Sequence, residues 1–342
     1  MRQPGCDEHL ERLEQLRAWI EGRRPGAAFD LEPASADASF RRYFRVRYAD
    51  GASLIAMDAP PAHEDCRPFM HVAGLLAAAG LNAPRVEAQD LAQGFLLLTD
   101  LGNTTFLAAM GADAGVAHEL FDDATTALVR WQAASRPDVL PPYDAALLRR
   151  ELDLFPDWYV ARHLGIVLTP AQKAVLERTF ALVIAANLAQ PKVFVHRDYM
   201  PRNLMVCDPN PGILDFQDAV YGPITYDVAS LFRDAFMSWD EENVLDWTVR
   251  YWEKARKAGL PVAEDFAAFY RDFEWMGLQR HLKVLGIFAR LEYRDGKSGY
   301  LEDTPRFVAY VRAVAARYTA LHPLLLLFDE LAGRSAGVGY TF

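Results

Sequence analysis

The chain has 342 residues, 51% of them apolar, and a formal net charge of -10. That is enough for one large two-lobed domain or two modest ones with a sizeable core, and the acidic balance, free of any Lys/Arg-rich block, argues against a nucleic-acid partner. Cys6, Cys66 and Cys207 lie far apart and suit free thiols in a reducing compartment; with no long apolar leader and no run able to span a bilayer, a cytoplasmic protein without a membrane partner is expected.

Asp7 to Gly22 reads as a first helix, with Leu10, Leu13, Leu16 and Ile20 at helical spacing and Trp19 beside them. Gly22 and Pro25 stop it. From Phe29 to Asp58 the pattern is strand-like. Arg42, Phe44 and Val46 point one way, and Arg41, Tyr43, Arg45 and Arg47 the other. Asp50-Gly51 is a hairpin turn, and Ser53 to Met57 the return strand. The small residues from Ser35 to Ser39 could let backbone amides approach phosphates, although an ordinary turn is as good a reading.

Glu64 to Ala79 reads as a helix ended by Gly80. Arg85 to Ala88 and Gly94 to Thr99 read as two more strands. Asp100 to Asn103 breaks the pattern, so a lobe of five strands and a helix ends near residue 100. Beyond it the chain is mostly helical: Ala117 to Ala134, Tyr143 to His163 with a kink at Pro156, and Ala171 to Ala189 behind the cap Thr169-Pro170. Further helices are expected over Tyr226 to Trp239, Glu241 to Ala258, Glu264 to Tyr293 and Pro305 to Leu321. Ala332 to Phe342 is expected to be a loose tail.

Between these helices lies the stretch with chemistry. His196-Arg197-Asp198-Tyr199-Met200-Pro201-Arg202-Asn203 has the form H-R-D-x-x-x-x-N, and Asp215 follows Asn203 by 12 positions. Phosphoryl transfer needs these residue types in this order. Asp198 is expected as the base that takes the acceptor's hydroxyl proton. Asn203 and Asp215 supply hard oxygen ligands suited to Mg²⁺ on the phosphates of ATP. Apolar runs at Val193 to Val195, Leu204 to Cys207 and Ile213-Leu214 flank the loop as short strands. His196 is expected to hold the loop. Arg202 is either a ligand for a phosphate or anionic acceptor, or a solvated charge. Asp218 is expected to cap a turn, and Asp227 to cap the next helix and brace the loop.

The lobe before residue 100 and the helical lobe after it would enclose a cleft, with the nucleotide beneath the strands. Leu98, Asp100 and Leu101 are candidates for adenine by position, and Ser35 and Ser39 for the phosphates. Phe236, Trp239, Trp275, Arg280, His281, Lys283 and Arg290 are the pool for the acceptor pocket, with Arg202 and Arg280 favoured for an acidic group.

HRDYMPRN, LDFQD and YGPITYDVASLFRD together resemble the aminoglycoside phosphotransferase/choline kinase-like family over nearly the whole chain. Protein kinases would show D-F-G and a later A-P-E; here Asp215 is followed by Phe216-Gln217-Asp218. The resemblance implies an α+β, bilobal protein kinase-like fold, with a small antiparallel-sheet N-lobe at 1–101 and a large, mostly helical C-lobe at 102–342. It also implies ATP, Mg²⁺ and a small-molecule hydroxyl acceptor. DASFRRYFRV, MDAPPAHEDCRPF and LLLTDLG resemble the bacterial anomeric amino-sugar kinases of cell-wall recycling, which implies N-acetylmuramic acid or N-acetylglucosamine as acceptor and a sugar 1-phosphate as product. A monomer is expected. Against the kinase pattern, Ser53 to Asp58 holds no lysine for the α- and β-phosphates. Arg41, Arg42 or Arg45 could supply that charge, and alternation leaves open which of them faces the nucleotide. A kinase of another hydroxyl compound, aminoglycoside-like, and a non-catalytic nucleotide-binding pseudokinase are the alternative readings.

Overall fold

The computed structural model describes residues 4–35 and 40–336. These divide into two compact units, one comprising Met1–Ala109 and Arg202–Asp218, the other Met110–Pro201 and Ala219–Phe342.

In the first unit, helix α1 (Pro4–Arg23) precedes strands β1 (Phe29–Ser35), β2 (Arg42–Tyr48) and β3 (Ser53–Asp58). Helix α2 (Arg67–Ala78) and strands β4 (Val86–Asp90) and β5 (Phe95–Thr99) follow. The strands form one sheet in the order β1-β2-β3-β5-β4, antiparallel at every pairing. The Asp50-Gly51 turn closes the β2–β3 hairpin: Gly51 adopts φ +87°, and Asp50 accepts the amide of Ala52 at 3.0 Å.

Alternation along β2 sends Val46 and Tyr48 to one face, where Leu16, Trp19 and Ile20 of α1 pack on them together with Ala56, Phe95 and Leu97. Burying each large aliphatic side chain there contributes about 1.5–3 kcal/mol. Leu10, expected in the same stripe, stands exposed. Helix α2 starts three residues later than the periodicity suggests, because the Asp65 carboxylate takes the amide of Arg67 at 2.9 Å. That local bond holds Glu64 outside the helix.

The short helix α3 (Phe106–Met110) closes the first segment of the first unit, and in the second unit α4 (Ala114–Ala133) is capped by Asp113. Helix α5 (Ala145–Leu154) gives way at Phe155–His163 to a π-helical stretch containing Pro156, so the kink is a change of helix type. Helix α6 (Pro170–Leu188) begins at a capping box between Thr169 and Gln172. Strand β6 (Lys192–Val195) pairs with a later strand described below. Two two-residue strands, β7 (Leu204–Met205) and β8 (Gly212–Ile213), belong to the first unit. Strand β9 (Val220–Pro223) is the antiparallel partner of β6.

Helices α7 (Tyr226–Phe232), α8 (Glu241–Lys257), α9 (Phe266–Tyr293), α10 (Thr304–Arg317) and α11 (His322–Ala336) complete the unit. Helix α7 is half the length expected. Arg233 leaves the helix at φ −119°, ψ 62°, and Asp234 takes the amide of Phe236 at 3.2 Å, so residues 233–240 turn away. Helix α11 lies beyond the last helix expected from the sequence, and Pro323 occupies its first turn, where proline is tolerated. Leu324, Leu327, Phe328 and Leu331 then join the core formed by α6, α9 and α10. The expected tail is helical as far as Ala336, and 337–342 lie outside the described residues. Helix α9 is buried almost all round, and α5 crosses it closely. A Cβ on Gly286 would lie 2.3 Å from the carbonyl carbon of Leu154, so only glycine permits the approach. No described helix is long and apolar enough to cross a membrane.

Candidate active site

The hairpin of β7 and β8 explains the spacing of the motif. Leu204 pairs with Ile213 and Met205 with Gly212, and the amide of Leu214 donates to the carbonyl of Asn203 at 2.9 Å. Asn203 and Asp215 therefore leave the open end of the hairpin together, and Asn203 Nδ2 donates to Asp215 Oδ2 at 3.2 Å. Gln217 Nε2 donates to the other carboxylate oxygen at 2.8 Å. Asp215 is a non-glycine residue at φ +61°, a strained setting of the kind that functional sites hold in place. Leu101 reaches this hairpin: a Cβ on Gly212 would meet its Cδ1 at 2.9 Å.

An amide oxygen and a carboxylate side by side fit the donor set of Mg²⁺, which takes one or two protein oxygens and completes its shell with phosphate and water. No larger His/Cys/Asp/Glu metal cluster occurs among the described residues.

In the second unit, strand β6 delivers His196 to Asp198. The loop is tied down by Asp227, fully buried at the start of α7. Its two oxygens accept the amides of His196 at 2.7 Å and Arg197 at 3.0 Å. Burial pushes the Asp227 carboxyl up to about 7, even though the two amides pull it down. His196, itself buried, takes the amide of Asp198 on Nδ1 at 3.2 Å, and Tyr199 donates to the carbonyl of Ala124 at 2.8 Å. Asp198 itself is half-buried. Arg197, at φ +76°, turns its guanidinium onto Glu151 at 2.5 Å.

Register separates the three arginines left open above. Arg42 stands opposite Asp58, and both Arg42 and Arg12 of α1 donate through Nε to this buried carboxylate at 3.0 Å. Arg42 is thus on the α1 side. Arg45 stands opposite Ile55, which pairs with Leu98 on β5. It grips Asp100 at 2.7 and 3.0 Å and the carbonyl of Gly102 at 2.8 Å, with Asn103 as a further partner. Asp100 also accepts from Ser53 and from the Gly102 amide. Desolvation is the largest single influence and works against the Asp100 charge, but the hydrogen bonds from Arg45, Ser53 and the Gly102 amide, with the charge of Arg45, together outweigh it and hold the carboxyl below its usual range.

Arg41 pairs with Glu64 at 2.9 Å, both largely buried. Burial opposes its charge, and Tyr43 and Glu64 more than compensate. Leu98 is buried; Ser35 closes β1, and Ser39 lies outside the described residues. Arg202 is exposed, in a 3-10 turn over Pro201–Asn203. Asp218 is exposed as well.

The pool for the acceptor pocket scatters. Arg280 is 2% exposed within α9 and donates to the carbonyl of Arg233 at 3.4 Å, with Asp227 and Asp234 in its field. His281 is buried and stacked on Tyr310 at 4.8 Å. Trp239 packs edge-on to Trp247 at 5.3 Å, and Trp275 is in the core. Glu64 and Glu151, partners of Arg41 and Arg197, were missed from the sequence. Each is a single carboxylate in or before a helical pattern, and nothing in the spacing marks either as buried.

The model of the phosphotransferase enzyme family matches residues 30–266. An N-acetylmuramate/N-acetylglucosamine kinase of Pseudomonas putida is 53% identical over 334 residues, covering 95% of this chain and 98% of that protein. A kinase of the same name from Neisseria meningitidis is 52% identical and covers 97% and 100%. Among solved structures, a putative aminoglycoside phosphotransferase of Ralstonia eutropha superposes with a TM-score of 0.59 at 14% identity, covering 95% of this chain and 98% of that one. The Plasmodium vivax ethanolamine kinase superposes with a TM-score of 0.61 at 9% identity, covering 92% and 88%. These likenesses establish the protein-kinase-like fold of the aminoglycoside phosphotransferases. With a family model matched over more than half its length and full-length relatives above 50% identity, the chain belongs to the phosphotransferase enzyme family.

Proposed function

We propose that this enzyme transfers the γ-phosphoryl group of ATP to the anomeric hydroxyl of N-acetylmuramic acid or N-acetylglucosamine. The observation that carries phosphoryl transfer is the pairing of Asn203 with Asp215 at the mouth of the hairpin. The names of the relatives at 52–53% identity carry the choice of acceptor.

In this reading Asp198 orients the anomeric hydroxyl and accepts its proton as the sugar oxygen bonds to the γ-phosphorus. The bond from that phosphorus to the β–γ bridging oxygen breaks, and ADP leaves. Asn203 and Asp215 would hold Mg²⁺, which neutralises charge on the phosphates when bound. Arg41 takes the place of the missing strand lysine. It is a cation anchored by a glutamate, which is the arrangement kinases use to hold α- and β-phosphates, and a guanidinium matches phosphate oxygens. Arg42 is committed to Asp58 on the α1 side and Arg45 to the Asp100 turn, so both act as braces. Backbone groups around Leu98, Asp100 and Leu101 receive adenine. Arg202 offers charge to an anionic acceptor group, and Arg280 acts from behind through Asp227 and Asp234. The enzyme works as a cytoplasmic monomer on a small-molecule acceptor.

Phosphorus NMR of ATP with a panel of amino sugars and aminoglycosides tests the proposal. An acid-labile glycosyl phosphate formed from N-acetylmuramic acid or N-acetylglucosamine is the expected product. An acid-stable phosphate ester, or turnover of aminoglycosides alone, would sink the assignment of the acceptor; no turnover at all would sink the enzyme.

A further inference from the structure

Behind the catalytic loop, one carboxylate serves two cations. Glu151 of α5 accepts from Arg197 at 2.5 Å and from Lys283 of α9 at 3.1 Å, both through Oε1. Its other oxygen accepts from the hydroxyl of Tyr143. Lys283 also donates to the hydroxyl of Tyr226 at 3.1 Å. The rings of Tyr143 and Tyr226 pack edge to face at 5.4 Å, with Arg197 over the first at 5.8 Å and Lys283 over the second at 5.7 Å. Glu151 is 4% exposed and Lys283 is 9% exposed. One negative charge and two positive charges are thus enclosed, leaving a surplus positive charge. Asp198, next in the chain to Arg197, lies within the field of both cations.

We propose that Lys283 is a positioning residue for the reaction. Together with Arg197 it shares Glu151, and the surplus charge of that trio fixes the strained loop and holds the Asp198 carboxylate in place. This deepens the function proposed above and rests on it.

The geometry favours this role over direct capture of an acceptor carboxylate. Lys283 already spends two donors on Glu151 and Tyr226, and it projects from the most enclosed helix. Its environment keeps it charged: burial works against the ammonium, and Glu151 and then Tyr226 outweigh that, so its pKa is raised. Glu151 is likewise held ionised, since its two cations overcome the desolvation that opposes its charge. Without Lys283, Arg197 alone would balance both Glu151 and Asp198, and its guanidinium and the φ +76° backbone would no longer be fixed from one side.

The test compares Lys283→Met and Lys283→Arg with the wild type, using N-acetylglucosamine, which is neutral, and N-acetylmuramic acid, which carries a carboxylate. Lys283→Met is expected to lower kcat about tenfold or more for both sugars, with KM for ATP and for each sugar within about twofold; Lys283→Arg should restore most of the rate. A defect confined to KM for N-acetylmuramic acid would make Lys283 a substrate ligand and overturn the proposal, as would an unchanged kcat or no rescue by arginine. Should Lys283→Met fail to fold, Glu151→Gln and the Glu151→Gln/Lys283→Arg pair carry the same comparison, with non-additive losses expected. Amide hydrogen exchange over residues 194–200 needs no acceptor. It should quicken in Lys283→Met or Glu151→Gln, and unchanged exchange overturns the inference even if the acceptor itself proves to be another compound.

Discussion

Asn203 donates its side-chain amide to a carboxylate oxygen of Asp215 across 3.2 Å. The two are 12 residues apart in the chain and are neighbours because a four-residue ladder sets their register. Asp215→Ala should lower kcat by about 10²–10³ and abolish the stabilisation that Mg·ATP gives the wild type in a melting experiment. Retention of that Mg-dependent shift would remove Asp215 from the metal site.

Asp198→Asn keeps the shape of the loop and removes the proton acceptor. A loss in kcat of about 10²–10⁴ is expected, with ATP affinity by calorimetry close to that of the wild type. Near-normal turnover would exclude Asp198 as the base.

The three arginines should separate cleanly. Charge-assisted hydrogen bonds contribute about 1.5–3 kcal/mol, so Arg41→Ala should raise KM for ATP about tenfold or more. Glu64→Gln should do the same more weakly, because Arg41 keeps its charge and loses its anchor. Arg42→Ala should leave KM unchanged and lower the melting temperature, since Asp58 keeps only Arg12. Steady-state kinetics in ATP, alongside calorimetry, decides among them; an Arg41→Ala enzyme with wild-type KM leaves the lysine gap unfilled.

Asp227 makes stability depend on pH with a definite sign. Its folded carboxyl titrates near 7, well above the ordinary range, with burial as the main cause. Between about pH 4 and 7 the folded state therefore keeps a proton that the unfolded chain has released. Its contribution falls as pH rises through that window and is fully unfavourable above it. Melting temperatures of the wild type should fall relative to those of Asp227→Asn from pH 5 to 8; parallel profiles would contradict the assignment.

Gly286→Ala places a methyl group 2.3 Å from the backbone of Leu154. Forcing α5 and α9 apart should cost about 1–3 kcal/mol, read as a fall of several degrees in melting temperature by calorimetry. An unchanged melting temperature would mean that the crossing relaxes freely.

The parts of this molecule legible in its residues are those governed by local rules. Asp50-Gly51 announced its hairpin, Thr169-Pro170 its helix start, and the apolar runs around the motif from His196 to Asp215 the short strands that flank it. What escaped depends on which neighbours tertiary packing brings together. Nothing near Arg41 indicates that Glu64 escapes its helix through Asp65 and meets it. Alternation put Arg42 on the opposite side from Arg45, but only the seat of α1 on Val46 and Tyr48 says which side is which. The early end of α7 turns on a single side-chain bond from Asp234, which competes with the helix and leaves no periodic trace. The pool for the acceptor pocket mixed core aromatics with buried charges, because helical spacing alone does not tell Trp275 from Lys283.

The trio of Glu151, Arg197 and Lys283 also bears on how the sequence can drift. Losing Glu151 alone strands two buried cations, and losing Lys283 alone leaves Arg197 to balance both Glu151 and Asp198, whereas losing Glu151 and Lys283 together leaves Arg197 balanced by Asp198. Positions 151 and 283 should therefore be inherited as a block. Among relatives that have lost Lys283, Glu151 should have been replaced too, and these two columns of an alignment should change in concert although residues 151 and 283 lie on different helices.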